Sequence, residues 1–341
     1  MSTLAHAMNL LQAGESLPAD VADAAMGEIL SGAVGDGEIA AFLTTLAGRK
    51  ESAQELFGFA SAVRRVATAV PAARHALCPC GTGGSGLSTA NTSTAVAFVL
   101  AASGVPIAKH GNRAATGACG SADVLEYLGI AVDLPVQKAG ELLEQLGLTF
   151  LFAPRMHPTL RRLAPIRRQL GFATVFNFLG PLCNPAGVER QLLGVSDSRR
   201  ALPMVEALRL LGSREVLAVT GEDGLDELSL SAASQVVRLS AGALTVETWT
   251  PEQAGLQRRP AQALRGGNPA VNAAILLDVL GGKPSAHADL TAYNAGAGLL
   301  LMGRVATIGA GVTQAQAVLR SGAGRDLLER YRRASTLESA A

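Results

Sequence analysis

Basic residues are missing from the first 48 positions, Arg49 being the first. That excludes the positive n-region of a secretory signal and makes a cytoplasmic chain the expectation. Long hydrophobic runs are missing too: Ala95 to Ala102, the longest purely apolar run near the middle, is too short to span a bilayer, so no membrane partner is expected. Excess charge of either sign is absent. Charged residues make up 17% and the net charge is +1, which disfavours general nucleic-acid binding. The four cysteines include Cys78-Pro79-Cys80, a CxC with no second pair facing it. A zinc ribbon is thereby excluded, and reduced intracellular thiols are the expectation. Lysine is scarce: among 29 basic residues only Lys50, Lys109, Lys138 and Lys283 are lysines. Lys109, alone in a glycine- and serine-rich stretch, therefore stands out.

What is there is an apolar chain of 341 residues, 48% hydrophobic, enough for one large or two unequal domains. Residues 3–66 read as helices only, with helical apolar spacing over 19–31 and 37–48 and a Ser52…Glu55 capping box before Leu56. Beyond Pro71 short apolar runs alternate with helices. Strands are expected at 105–108, 148–152, 190–195 and 214–220, and helices at 93–103, 121–128, 136–146, 199–211, 269–280, 287–301 and 312–331. A hairpin over 235–239 and 243–249 turns at Ala241-Gly242. This alternation predicts an α/β domain with a largely parallel sheet, and the Pro- and Gly-containing stretch 67–80 marks the domain junction.

Cys80 to Gly86 is a glycine-rich loop followed by the hydroxyl-rich run Ser88 to Thr94 and then a helix. Glycines let backbone N–H groups approach an anion, and a helix N-terminus adds favourable potential. Gly81, Gly83 and Gly86 also fit the dinucleotide fingerprint, but no Asp or Glu occurs from Leu56 to Ala122 to bind ribose hydroxyls. A more highly charged anion is the better guest. Walker A is excluded, since no Gly-Lys-Ser/Thr closes the loop. The segment Lys109-His110-Gly111-Asn112-Arg113 follows an apolar strand, where α/β sheets bind ligands. Thr116, Gly117, Gly120 and Ser121 extend the same polar surface.

After the strand ending at Gly221 come Glu222, Asp223, Asp226 and Glu227. Four carboxylates in six residues repel one another unless solvent or a cation relieves them. A solvated acidic turn is one reading. A Mg²⁺ site is the other, and a diphosphate–Mg²⁺ ligand would unite it with the acid-free loop. A second acid-free stretch, Gln145 to Val188, holds Arg155, His157, Arg161, Arg162, Arg167 and Arg168; its arginines read either as a plain basic helix face or as bidentate partners of a substrate carboxylate. Phe176 to Pro185, apolar and proline-broken, suits a hinge or pocket wall.

Together these segments resemble the anthranilate phosphoribosyltransferase family. The resemblance runs from the N-terminal helices nearly to the C-terminus. GTGG and NTST (81–94), KHGNR and GSADVLEYLG (109–129), FLFAPRMHP, RR and FNFLGPLCNP (150–185), GEDGLDELSL (221–230) and GGNPAVNA (266–273) carry it. It implies the α/β architecture of the nucleoside phosphorylase/phosphoribosyltransferase class. A small all-helical N-terminal domain (1–70), joined by a helical segment near 157–185, would accompany a larger α/β domain (71–341) with a mostly parallel central sheet. It further implies transfer of the phosphoribosyl group of phosphoribosyl diphosphate (PRPP) to the amine of anthranilate in tryptophan biosynthesis, a homodimer formed through the helical parts, and two magnesium ions per subunit.

On the family pattern Gly81, Gly84, Ser85, Thr89, Asn91, Thr92, Ser93, Thr94, Lys109, His110, Gly111, Asn112, Arg113, Ala114, Ala115, Thr116, Gly117 and Ser121 would contact PRPP. Ser93, Asp226 and Glu227 would hold magnesium. Gly81, Asn112 and Arg167 would receive anthranilate, and Lys109 would stabilise the departing diphosphate. The chain departs from the pattern at Ser85, where the family has Asp, and at Thr116-Gly117-Ala118, where it has Ser-Ser-Lys/Arg. A paralogue acting on another aromatic amine is an alternative. A non-catalytic nucleic-acid-binding relative is another, but it should have lost the loop and acidic pair that this chain keeps. The pyrimidine nucleoside phosphorylase signature KxSGRGLGxTGGT is absent.

Overall fold

The computed structural model describes residues 2–336 apart from 71, 72, 85, 87, 88, 115 and 116. The chain begins with helices α1 (Thr3–Gln12), α2 (Ala19–Ser31), α3 (Asp36–Ala47) and α4 (Ala53–Arg65). The Ser52–Glu55 capping box starts α4 as expected: Ser52 Oγ accepts from Glu55 N–H and the Glu55 carboxylate from Ser52 N–H. Next come β1 (Leu77–Gly81), α5 (Thr92–Ala102), β2 (Ile107–Gly111), α6 (Ser121–Tyr127), α7 (Val136–Leu146) and β3 (Leu148–Phe152). The chain returns to the helical lobe through α8 (Ala153–Met156), a 3₁₀ turn, α9 (Leu163–Leu170) and α10 (Phe176–Leu182). There α9 packs on α3, and α10 on α4. It re-enters the sheet with β4 (Arg190–Gly194), α11 (Ser198–Leu210), β5 (Glu215–Gly221), β6 (Ser234–Ser240) and β7 (Ala243–Trp249), and closes with α12 (Pro269–Leu280), α13 (Ala286–Leu301), α14 (Ile308–Ser321) and α15 (Ala323–Thr336). No helix among the described residues is long and apolar enough to cross a membrane.

The seven strands run in the order β3-β2-β1-β4-β5-β6-β7. The first five are parallel and the β6–β7 hairpin is antiparallel. Both faces of the parallel part are covered, so its strands are mostly apolar, with Lys109, His110, Thr149, Gln191 and Thr220 the buried polar exceptions. Alternate residues serve different cores. Cys78, Cys80, Ala108, Leu151, Leu193, Val216 and Ala218 pack toward the helical lobe and α11. Leu77, Ile107, Phe150, Leu192, Leu217 and Val219 pack under α5 and α12–α15.

The structure corrects three expectations. A strand at 77–81 was not anticipated, because Pro79 argues against a central strand. It is tolerated because β1 pairs along its whole length with β4 but is registered with β2 only at Leu77↔Ile107. The strand expected at 105–108 starts later, at Ile107, and carries Lys109 and His110 inside it. The helix expected over 312–331 is two helices, interrupted at Gly322 in the left-handed region. The helical segment expected near 157–185 includes α10, with Pro181 inside it.

Candidate active site

The chain leaves β1 toward β2 and β3 on one side, then crosses to β4 on the other. The order therefore reverses between β1 and β4, and ligands of open α/β sheets bind beyond the carboxyl ends of strands at such a point. A cavity of about 680 Å³ lies there. Thr82 N–H donates to Gly194 O at 2.9 Å, and Ser196 N–H donates to Thr82 Oγ1 at 3.2 Å, so the strand ends are tied together below the opening.

The glycine loop forms one wall. Gly83, Gly84 and Gly86 all have positive φ, 67°, 78° and 71°, a backbone that residues with side chains rarely adopt. Behind it α5 presents its N-terminus, with Thr92 and Ser93 in the first turn. The Asn91 side chain does not cap the helix. Its Oδ1 accepts from Asn272 Nδ2 at 2.9 Å and its Nδ2 donates to Cys119 O at 3.2 Å. Asn272 in turn accepts from Gly267 N–H at 2.7 Å.

Lys109 is buried, with its ammonium donating to Pro79 O at 2.8 Å and to Ser93 Oγ at 3.0 Å. The interrupted β1–β2 ladder leaves that proline carbonyl for the lysine. Burial lowers the ammonium's pKa, and negative charge at Cys78, Cys80 and Glu227 counteracts this.

The acidic turn after β5 splits in two. Asp223 accepts from the hydroxyls of Ser229 and Ser231 and is spent on the turn itself. Asp226 and Glu227 face the cavity. Gly83 N–H donates to Asp226 Oδ2 at 3.0 Å, across 143 residues of sequence. A Cβ on Gly81 would stand 2.7 Å from the same oxygen, and one on Gly194 would overlap the Asp226 carbonyl. Both positions must be glycine for the carboxylate to seat. Burial pushes Glu227 up to about 8, the neighbouring Asp226 charge adding and Lys109 opposing. A carboxylate pair so placed, with the Ser93 hydroxyl opposite, is a hard-oxygen donor set that gains from a divalent cation. The residues fit magnesium.

The far wall comes from the helical side. Arg167, on α9, donates to Asn177 Oδ1 at 3.4 Å and lies 5.6 Å from the centre of the Phe176 ring. Burial lowers its pKa without a carboxylate nearby, as suits a guanidinium awaiting an anion. The rings of His110 and His157 are tilted by 60° to each other, with centres 5.2 Å apart. Burial, and then each ring's cationic neighbours, holds His110 down to about 3 and His157 down to about 4.

Of the residues singled out in the sequence, Gly81, Gly84, Thr89, Asn91, Thr92, Ser93, Lys109, His110, Gly111, Asn112, Arg113, Ala114, Gly117, Ser121, Arg167, Asp226 and Glu227 line this one cavity. Thr94 is buried behind them. Ser85, Ala115 and Thr116 lie outside the described residues. Arg113 turns its guanidinium to Glu126, at 2.6 and 3.0 Å, and stacks on Phe152. Asn272, Ser196, Asn177 and Gly194 were not singled out individually. The blocks GGNPAVNA and FNFLGPLCNP contained two of them; Gly194 and Ser196 stand at a strand end, the one signal that could have found them.

A doubly covered parallel sheet joined to a helical lobe, with an anion cradle facing a carboxylate pair, defines a glycosyl transferase. The profile described as "Glycosyl transferase family, a/b domain" matches residues 74–325, and "Glycosyl transferase family, helical bundle domain" matches residues 5–67. Anthranilate phosphoribosyltransferase of Rubrobacter xylanophilus is 44% identical over 97% of both chains, and anthranilate phosphoribosyltransferase 2 of Streptomyces coelicolor is 45% identical over 93% of this chain and 95% of its own. The crystal structure of the Thermus thermophilus enzyme superposes with a TM-score of 0.91 at 42% identity, covering 98% of this chain and 99% of its own. The Saccharomyces cerevisiae enzyme in complex with PRPP and Mg superposes with a TM-score of 0.90 at 28% identity, covering 98% of each. The chain belongs to the anthranilate phosphoribosyltransferase family.

Proposed function

We propose that this chain transfers the phosphoribosyl group of PRPP to the amine of anthranilate, releasing diphosphate, in tryptophan biosynthesis. The observation that carries the reading is the hydrogen bond from Gly83 N–H to Asp226. It puts the anion cradle and the carboxylate pair on one cavity, as a metal-bound diphosphate requires.

The loop Gly81–Gly84, the α5 N-terminus and the 109–121 segment hold PRPP. Ser93, Asp226 and Glu227 hold two magnesium ions, which when bound take up charge on the diphosphate oxygens. Lys109 and the loop N–H groups other than that of Gly83, which Asp226 takes, would stabilise the same oxygens as the ribose C1–O bond breaks. Arg167, steadied by Asn177, receives the anthranilate carboxylate, with Gly81 and Asn112 beside the ring. The amine is neutral near pH 7 and attacks C1 directly. The C–N bond forms as diphosphate departs, and the nitrogen sheds a proton to water. No general base is demanded, so positioning and leaving-group stabilisation account for the rate.

Residues 1–70 with the helical segment near 157–185 make up one domain and the rest of 71–341 the other, and the helical parts join two chains into a homodimer. Four free cysteines suit the cytoplasm.

Loss of anthranilate fluorescence with PRPP and MgCl₂ tests the activity. If the wild-type protein leaves anthranilate unchanged, the function is wrong. The Asp226→Asn/Glu227→Gln double variant is expected to lose on the order of 100-fold in turnover. Near-normal turnover would discard the metal assignment.

A further inference from the structure

The block Gly266 to Ala273, one of those that carry the family resemblance, has no part in the transfer described above. It rests on the cradle. Thr89 and Arg265 form an isolated antiparallel bridge, and a Cβ on Gly266 would stand 2.5 Å from Asn272 Oδ1 and 2.7 Å from the Ala90 nitrogen. Only glycine lets the two segments approach so closely. Asn272, in the first turn of α12, is 2% exposed and lines the cavity. A polar side chain so buried requires hydrogen-bond partners. Asn272 finds them on two segments of the same cavity, one five residues back in the chain and one 181 residues away.

Three hydrogen bonds run in line. Gly267 N–H donates to Asn272 Oδ1 at 2.7 Å, Asn272 Nδ2 donates to Asn91 Oδ1 at 2.9 Å, and Asn91 Nδ2 donates to Cys119 O at 3.2 Å. Both ends are backbone groups whose polarity cannot reverse: an N–H only donates and a carbonyl only accepts. The backbone therefore settles which way each amide faces. Flipping Asn272 would set its NH₂ against the Gly267 N–H. Flipping Asn91 alone would bring two NH₂ groups together and turn its oxygen to the Cys119 carbonyl. The Cys119 thiol adds a weak donation to Asn91 Oδ1, at 3.4 Å, which fills both lone pairs of that oxygen. Asn91 Nδ2 carries two hydrogens and gives one to Cys119. The second is available to a guest of the cavity that Asn91 lines.

We propose that Asn272 is a positioning residue for PRPP: it holds the Asn91 amide so that an N–H, rather than the oxygen, is offered to the phosphorylated sugar. The inference rests on the phosphoribosyl-transfer reading, in which Asn91 touches PRPP. Every polar atom of that ligand is an oxygen, and most of them carry negative charge. An amide N–H donates to any of them, whereas an amide oxygen would repel the phosphates and could accept only from the ribose hydroxyls. Without Asn272 the Asn91 amide keeps only its contacts with Cys119 and is free to turn. Binding PRPP must then order it again, so the loss falls on PRPP affinity and not on the bond-breaking step.

Asn272→Leu fills the buried position with a side chain of similar size and no hydrogen-bonding group. It is compared with Asn91→Ala, the double variant and the wild type by calorimetric titration with PRPP and Mg²⁺, by steady-state kinetics and by thermal melts. Expected is a PRPP affinity lowered about tenfold in Asn272→Leu. Turnover at saturating PRPP and KM for anthranilate should stay within about twofold of wild type. Asn91→Ala should lose as much, and the double variant no more than Asn91→Ala, because residues acting as one unit are not additive. An unchanged PRPP affinity overturns the proposal, as does a rise in both KM values with a fall in kcat, the mark of general distortion. Losses that multiply in the double variant overturn it too, since Asn272 would then act apart from Asn91. If Asn272→Leu does not fold, Asn272→Asp takes its place: it still accepts from Gly267 N–H but cannot donate to Asn91 when ionised. Its added charge weakens binding in both backgrounds, so the loss that disappears in the Asn91→Ala background measures the orientation alone, and none disappearing overturns the proposal. Wild-type protein that neither binds nor transfers PRPP overturns the transferase reading, and the proposal with it. Wild-type protein that does both, with the Asn272→Leu affinity unmoved, overturns the proposal alone.

Discussion

Lys109 shows how much one side chain owes to its surroundings. Its ammonium is kept in place by a proline carbonyl and a serine hydroxyl, both near the cradle. Replacing it with Met, which keeps the length and removes the charge, is expected to lower kcat/KM with PRPP on the order of 100-fold. Steady-state kinetics at saturating anthranilate would show it. The buried histidine pair makes a different prediction. Both His110 and His157 titrate below the ordinary histidine value, at about 3 and about 4, because burial disfavours their charged forms. Between those values and about 6.5 the unfolded chain binds the protons and the folded chain does not. Stability is then complete above pH 6.5 and is lost on acidification by about 1.4 kcal/mol per pH unit for each histidine. The urea midpoint should fall from pH 7 to pH 5, and His157→Phe should shrink that fall. At this scale the sequence was informative about charge and poor about geometry. The scarcity of lysine marked Lys109, crowding of acids marked the run Glu222 to Glu227, and the family pattern singled out Asp226 and Glu227 within it. Nothing local said that Asp223, in the same run, would turn inward to two serines.

At the scale of elements, the end of β4 meets the turn after β5 so closely that only glycine fits. Gly194→Ala would press a methyl group into the Asp226 carbonyl. It is expected to cost about 1–3 kcal/mol of stability. It should also raise the magnesium concentration needed for half-maximal turnover, because Asp226 moves with its backbone. Thermal melts and a magnesium titration of the rate test both parts. Most helices and the hairpin were legible, since their periodicity and caps are local. The hairpin turns where expected, with positive φ at Ala241 and Gly242. The element that escaped is one whose local signals conflict with its tertiary role. Pro79 disguised β1, which survives because its partner on one side is β4 and on the other a lysine ammonium. Helix α10 lay within the helical segment expected near 157–185, but its packing on α4 came only from the tertiary structure.

For the whole molecule, a nearly neutral chain with an acid-free cradle opposite two carboxylates depends on a divalent cation. Chelation with EDTA is expected to abolish transfer while the far-UV circular dichroism spectrum stays unchanged, and added Mg²⁺ should restore the rate. Sedimentation equilibrium should give a particle of two chains; a monomer at micromolar concentration would contradict the homodimer. The sequence by itself determined the composition of the site: which segments are rich in glycine and hydroxyl, where acids are excluded, where they crowd, and which helices precede the sheet. These are properties of short stretches, fixed by residue type and spacing. Only the tertiary structure decided that Gly83 and Asp226 share a hydrogen bond, that Arg167 comes back from the helical lobe to close the far wall, and that Asn272 meets Asn91. Such meetings depend on strand order and on the reversal between β1 and β4, which residues far apart in the chain settle together through packing.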